Sequence, residues 1–337
     1  MTNSKIKQIF LRILSIAFLI FIIFYVFHKD YQSILTSLSQ ISFWQCLGLL
    51  VMGLIYLLLD ALAYYKIIHT QYPAFHYKQA VEVTMLGVFA NVSTSTTGTI
   101  PLQSYYLYKQ GIDAGSSVST MMLESVFHKL SVFLYASFMV ISHHHWLKRS
   151  IPELLPYIAL GFFVCACIII IIVLLCTWNK IQHLFVSLII KLPSSSKWQQ
   201  RKEKWINQLN DLYHESKIIL QDHQCCIHLL IINTLKIIFD FIIPYYCAAI
   251  LNINQLSFIE TQVLSSIMFV IIGVLPNVAG VGPTEVAYLM LFTPFIGHVH
   301  ASSTLVLYRV ADYFLPFLVS SYVFFKVQKT AQKESQS

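Results

Sequence analysis

The chain has 337 residues and a net charge of +7; 57% of its residues are hydrophobic and only 11% are charged. With a mean hydropathy of +0.67, it lacks the charged surface that a soluble protein of this length requires. Its basic residues fall in segments between hydrophobic runs, not in a basic, aromatic-interleaved soluble domain, so a nucleic-acid partner is excluded.

Crossing a hydrocarbon core of ~30 Å takes roughly 20 residues of helix, and several runs reach that length. The first, residues 10–28, follows Lys5 and Lys7 and carries Arg12 near its start. It exceeds a signal-peptide core and has no small-residue cleavage site before Asp30 and Tyr31, so it is expected to be a retained span. Residues 44–65 form the next run, with Trp44, Tyr64 and Tyr65 at its edges where an interfacial belt would lie.

Residues 81–108 are hydrophobic but interrupted by "FANVSTSTTGTIPLQSYYLYKQG", where hydroxyls, Gly98 and Pro101 replace the expected apolar helix. Uninterrupted runs resume at 119–142 and 155–177, with Trp146 and Trp178 at edges. Between 178 and 224 two amphipathic stripes appear: Ile181, Leu184, Phe185, Leu188 and Leu192, then Trp198, Trp205, Leu209, Leu212 and Ile219 opposite Arg201, Lys202 and Lys204. They suit helices on an anionic membrane surface, or a helical hairpin docked on the bundle. Residues 227–250 span again, residues 259–297 are broken at "LPNVAGVGPTE", and 303–325 complete the set.

The expected architecture is an all-α polytopic membrane protein with about six full transmembrane helices and two re-entrant broken-helix hairpins. Its segments are 1–43 (first span and outer loop), 44–142 (first repeat, hairpin 81–110), 143–177 (connecting span), 178–224 (cytoplasmic linker), 225–327 (second repeat, hairpin 259–297) and 328–337 (cytoplasmic tail). The positive-inside rule places the N-terminus, the linker and the tail in the cytoplasm. That placement requires re-entrant hairpins and leaves Lys148 and Arg149 outside, against the rule; fully spanning broken segments are the alternative.

The halves echo each other. "LLLDALAYYK" around Asp60 matches "IIFDFIIPYYC" around Asp240, and Asn91-Val92 matches Asn277-Val278. Farther on, Glu124, His128 and Lys129 in one half answer Arg309 and Asp312 in the other. Paired interrupted segments at corresponding positions point to a transport site near the midplane between inverted repeats. Irregular backbone survives at membrane depth only inside protein or beside a wet cavity, and half-helix N-termini favour anionic groups.

The candidate headgroup path is therefore Asn91, Thr97, Gly98, Pro101, Gln103, Tyr105, Glu124, His128, Lys129, Asn277, Gly280, Gly282, Glu285, Arg309 and Asp312. Asp60 and Asp240 read as helix-pairing residues, Asp240 through Lys236 one turn earlier. Tight hairpin turns without a ligand, and plain structural ion pairs, are the competing readings. His143–His145 is read as a loop run, the cysteines as apolar fillers, and neither a metal nor a cofactor is expected. No nucleophile elbow, Walker loop or dinucleotide fingerprint occurs.

Together Asp60, "NVSTSTTGTIPLQSYYLYKQG", "PNVAGVGPTE" and "LYRVADYFLP" resemble the lysylphosphatidylglycerol synthase transmembrane-region family over about residues 45–327. Gly98, Pro101, Gln103, Tyr105 and Tyr106 match its first break, while Thr99 and Ile100 depart from the usual second glycine and glutamine. Pro276, Gly280, Gly282 and Glu285 match the second break, and Arg309, Tyr313 and Pro316 the last span.

The resemblance implies a flippase-like module of the bacterial plasma membrane. Its relatives move aminoacylated phosphatidylglycerol between leaflets, which alters envelope charge and resistance to cationic peptides. Only a short polar tail follows Phe325, so the cytoplasmic synthase domain is not expected. A membrane phospholipid is the expected partner. A scaffold for a membrane-associated lipid or glycan enzyme is the alternative function, and a component of phosphatidylglycerol lysyltransferase a weaker one.

Overall fold

The computed structural model describes residues 41–94, 98–191, 196–275 and 282–334, with Gln32, Thr36, Leu38 and Ser39. The expected span at 10–28 lies outside them. The described chain is helical: α1 Phe43–Gln71, α2 Tyr77–Ser93, α3 Thr99–Lys109, α4 Ala114–Ser142, α5 His144–Ser150, α6 Leu155–Thr177, α7 Asn179–Ile190, α8 Ser196–Gln221, α9 His223–Ile250, α10 Phe258–Val274, α11 Pro283–Ile296, α12 His298–Arg309 and α13 Leu315–Glu334. A π-helical turn, Val310–Phe314, joins α12 to α13.

Among the described residues, five stretches are long and apolar enough to cross a membrane: Phe43–Gln71, Ala114–Ser142, Pro152–Thr177, His223–Ile250 and His298–Lys329. Leu160, Phe163 and Ile170 of α6 are exposed although the segment is almost wholly apolar. Such a face is tolerable against hydrocarbon and not against water. Their starts are set by local chemistry: Ser42 caps α1 in a reciprocal box with Gln45, and Asp113 accepts from the first amides of α4.

The long helices α1 and α9 form the spine. Lys236 meets Asp60, Tyr246 lies against Gly48, and Thr70 donates to Cys225, so the two helices run antiparallel along their whole lengths. Each end of this spine carries its own apolar cluster. One gathers Ala61, Ile67 and Ile68 of α1 with Cys225 and Leu229 of α9, α2, α3 and the start of α4. The other gathers Leu49 of α1 with Ile243, Cys247 and Ile250 of α9, α10, α11 and α12.

The two broken segments belong to opposite ends of the spine. Helices α2 and α3 are antiparallel: Gln79 near the start of α2 donates to Gln110 just past the end of α3, and Gln103 donates to the Val83 carbonyl. The chain therefore returns to the level at which it entered. At 17 and 11 residues, these helices reach about 25 and 16 Å, short of a ~30 Å core. Gly87 permits the contact, because any Cβ there would occupy the space of the Gln103 amide. In the second broken segment α10 packs on α11, which packs on α12.

The linker is docked. Leu212 and Ile219 of α8 are buried in the first cluster, and α8 packs along α4, α6 and α9. Lys202, expected on the solvated face, is instead buried and donates to the Ile190 carbonyl at the C-terminus of α7. The last span also departs from expectation, since α12 passes into the π turn at the ionisable residues themselves.

Gly53 of α1 lies against that turn, where an added Cβ would stand 2.7 Å from the Ala311 carbonyl oxygen. Gly53→Ala should therefore lower the thermal midpoint, by the equivalent of about 1–3 kcal/mol. Gly273→Ala, in open space within α10, should leave it unchanged or slightly raised; detergent-phase thermal unfolding checks both.

Candidate functional site

Two ion clusters occupy the middle of the spine. In the first, Lys236 of α9 is 2% exposed and donates to Asp60 of α1 at 2.6 Å. Its Nζ lies 3.5 Å from Glu124 of α4, which is 3% exposed. Tyr64 of α1 approaches Glu124 and Gln103, tying the return arm of the first hairpin to this cluster. His128 and Asn233 complete its wall.

In the second cluster, Arg309 of α12 is 8% exposed. Its Nε donates to Glu285 at 2.7 Å, and its Nη2 lies 2.6 Å from the same Oε1. Its Nη1 reaches Asp312 at 3.4 Å, and its guanidinium lies 5.4 Å from the Tyr313 ring centre. Glu285 also accepts from the Gly282 amide, capping α11. Gly282 has φ of 102°, a conformation that glycine adopts without strain. The π turn places Asp312 toward Arg309 and suits a functional site.

Tyr56 of α1 lies between the two clusters, electrostatically near Asp60, Asp240, Asp312 and Glu124. Each broken segment thus brings a polar side chain near a buried cation, Gln103 of α3 beside Tyr64 in the first cluster and Glu285 of α11 on Arg309 in the second. Uncompensated, either cation would be costly at membrane depth.

The candidate residues separate into groups. Gln103, Glu124, Glu285, Arg309, Asp312 and Gly282 converge on the clusters, and half-buried His128 adjoins the first. Lys129 is exposed on α4, and Asn91 is half-buried near the end of α2. Gly98 caps α3 and donates to Thr94 at 2.7 Å. Thr97, Asn277 and Gly280 lie outside the described residues. Among the described residues, no group of three or more His, Cys, Asp or Glu side chains could hold a metal ion.

One pairing is corrected. Lys236 does not bond to Asp240, its helical neighbour; it turns to Asp60 and Glu124, and both Asp240 carboxylate oxygens are left without a hydrogen bond. The i, i+4 spacing allows the first contact, but a partner on a facing helix at 2.6 Å wins. Lys236 is the hub of the first cluster, and its place at the centre of an apolar run is the one sequence signal of it. Tyr56 gives no such signal, and Tyr64, expected at the membrane interface, is instead 7% exposed inside the first cluster.

Pro101 and Tyr105 point elsewhere. They line a cleft of about 740 Å³ between α3, the start of α4 and α8, together with Tyr108, Lys204 and Asp211. Asp211 sits against Gly115, where any Cβ would stand 2.5 Å from its carboxylate, and Ser116 donates to Glu215 at 2.7 Å. The linker therefore presents carboxylates to the N-terminus of α4, the favourable end of its dipole. Burial, then the Asp113 and Glu215 carboxylates, push Asp211 above its ordinary range.

Two outcomes follow. Lys236→Met should destabilise the protein by about 3–5 kcal/mol by stranding two buried carboxylates. The triple change Asp60→Asn, Glu124→Gln, Lys236→Met should recover most of that loss in thermal unfolding. For Asp211, the raised carboxyl holds its proton more tightly in the docked chain than in the unfolded one. Its favourable contribution is present in acid and disappears as pH rises from the ordinary carboxylate range through the raised value. Asp211→Asn should raise the midpoint at neutral pH and flatten its increase on acidification.

Against known proteins, neither the curated proteins nor the solved structures provide a match. The family model for the lysylphosphatidylglycerol synthase TM region matches residues 12–320, nearly the whole chain. With five membrane-length apolar helices among its described residues and that match, the chain is a multi-pass membrane protein and belongs to the lysylphosphatidylglycerol synthase transmembrane-region family.

Proposed function

We propose that the protein moves an anionic or aminoacylated phospholipid between leaflets, the two broken-helix hairpins entering the bilayer from opposite faces as inverted repeats. The observation that carries this reading is the pair of neighbouring ion clusters at mid-spine, one approached by Gln103 of the first broken segment through Tyr64, the other holding Glu285 of the second on Arg309. In a purely structural bundle such groups could be replaced by apolar packing at no loss of stability. In a translocase they supply the polar surface that a headgroup needs on its way through hydrocarbon.

The chemistry suits a phosphate. Arg309 presents a planar fork that Glu285 occupies from the N-terminus of α11. A phosphodiester is the same kind of acceptor, so it can exchange with Glu285 at Arg309 and draw on the same helix terminus. Release of Glu285 would in turn free the cap of α11 and let the hairpin tip shift. The basic segments favour a linker on the cytoplasmic side, and the cleft of Tyr105 and Lys204 then lies at the entry level of the first hairpin. The scaffold reading has less support, because Leu212 and Ile219 of the linker are already spent on the bundle.

The test is leaflet sidedness of a labelled aminoacyl-phosphatidylglycerol or phosphatidylglycerol in proteoliposomes. The wild type should move lipid, Arg309→Lys should be slower, and Arg309→Ala should be at least about tenfold slower, a loss of ~1.4 kcal/mol in barrier terms. Equal rates for the wild type and Arg309→Ala, or no movement by the wild type, would contradict the proposal.

A further inference from the structure

Asp240 is the buried group that the ion clusters leave over. It lies on α9 one turn beyond Lys236, is 1% exposed, and has no hydrogen-bond donor to either carboxylate oxygen among the described residues. Both nearby cations are committed elsewhere, Lys236 to Asp60 at 2.6 Å and Arg309 to Glu285 at 2.6 Å. Its charged neighbours are Asp312 of the π turn, Lys236 and Arg309.

The surroundings leave little to balance that charge. From α1 come Tyr56 and Asp60, from α4 Glu124 and His128, and from α12 and the π turn Tyr308, Arg309 and Asp312. Helix α10 brings the neutral Gln262, which bonds Tyr135 and the Ile238 carbonyl. Helix α8 meets α9 near its N-terminal end, where the Cys226 thiol donates to the Ile219 carbonyl. Asp60, Glu124, Asp240, Glu285 and Asp312 thus face Lys236 and Arg309 across one interior, and a charged His128 would still leave an excess of carboxylates. Isolated ionised carboxylates are not stable in such a medium without a bound cation or proton.

We infer that Asp240, buried and without a hydrogen-bond partner and with Asp312 among its charged neighbours, is a binding site for one monovalent cation, a proton or a sodium ion, that neutralises its carboxylate. Binding is simple association: a proton forms an O–H bond to one carboxylate oxygen, or sodium is held by carboxylate oxygens, and no electron moves. The loaded cation offsets the pull of Asp312 and Asp240 on Arg309, which changes how firmly Arg309 holds Glu285. If the transport reading above holds, this links lipid movement to the proton or sodium gradient; the binding site itself stands without that reading.

The first experiment needs no lipid transport. Purified full-length protein in lipid nanodiscs is titrated by infrared difference spectroscopy with pH and, separately, by radiolabelled sodium binding. For a proton site, the wild type should show a protonated-carboxyl band that Asp240→Asn lacks. For a sodium site, it should show saturable sodium binding that Asp240→Asn loses. Asp222→Asn, at the N-cap of α9, should behave as wild type in both. Asp312→Asn should shift the half-loading pH or sodium concentration by about tenfold, the size of one removed neighbouring charge. It also serves if Asp240→Asn fails to fold.

Identical infrared and sodium signals in the wild type, Asp240→Asn and Asp312→Asn would overturn the site. In proteoliposomes, lipid movement that ignores both imposed gradients would overturn the coupling. Absence of lipid movement together with intact Asp240-dependent binding would overturn the transport reading alone.

Discussion

A buried cation in a membrane bundle must be matched by acceptors on facing helices, and that constraint organises this protein. Lys236 and Arg309 sit at mid-spine, 2% and 8% exposed, where an unpaired charge would cost several kcal/mol. Lys236 takes Asp60 from α1 and Glu124 from α4; Arg309 takes Glu285 from α11 and Asp312 from the π turn. Each partner comes from a different element, so satisfying two cations fixes the relative placement of most of the bundle.

The interrupted hairpins make sense under the same constraint. A full-length apolar helix in place of α2 and α3 would present no polar side chain at the right depth. A short helix that stops, turns and returns brings Gln103 to Tyr64, itself beside Glu124, and the start of α11 brings Glu285 to Arg309. Close approach then needs small residues where backbones meet: Gly87 beneath the Gln103 amide, Gly53 beneath the Ala311 carbonyl. The apolar clusters at the two ends of the spine hold these arms in place. The clusters supply cohesion and the ions supply register.

Much of this was legible in the sequence, for physical reasons. Residues 44–65, 119–142, 155–177, 227–250 and 303–325 announced spans by length and hydropathy, and the structure places a membrane-length helix over each. The breaks announced themselves because Gly98, Pro101, Gly282 and Pro283 cannot continue a helix unperturbed. The ionisable residues were visible as exceptions in apolar runs, but their partners on other helices were not. Spacing along one helix suggested Lys236 with Asp240, whereas the contact that forms is to a helix distant in sequence. The π turn at Val310–Phe314 and the burial of Lys202 over α7 were also hidden, since both depend on neighbours that a periodic pattern does not name. Sequence reading left the linker as either a surface element or a docked hairpin; Leu212 and Ile219 dock it.

The central claim is that two hairpins enter from opposite faces to complete ion clusters at mid-depth. Its most direct measurement is the labelling of single cysteines, in a background cleared of native ones, by a membrane-impermeant thiol reagent in oriented vesicles. Tyr77→Cys and Lys109→Cys bracket the first hairpin, and Phe258→Cys and His298→Cys bracket the second. The account predicts that the first pair reacts only from the cytoplasmic side and the second pair only from the other. Labelling of the two ends of either hairpin from opposite sides would contradict it.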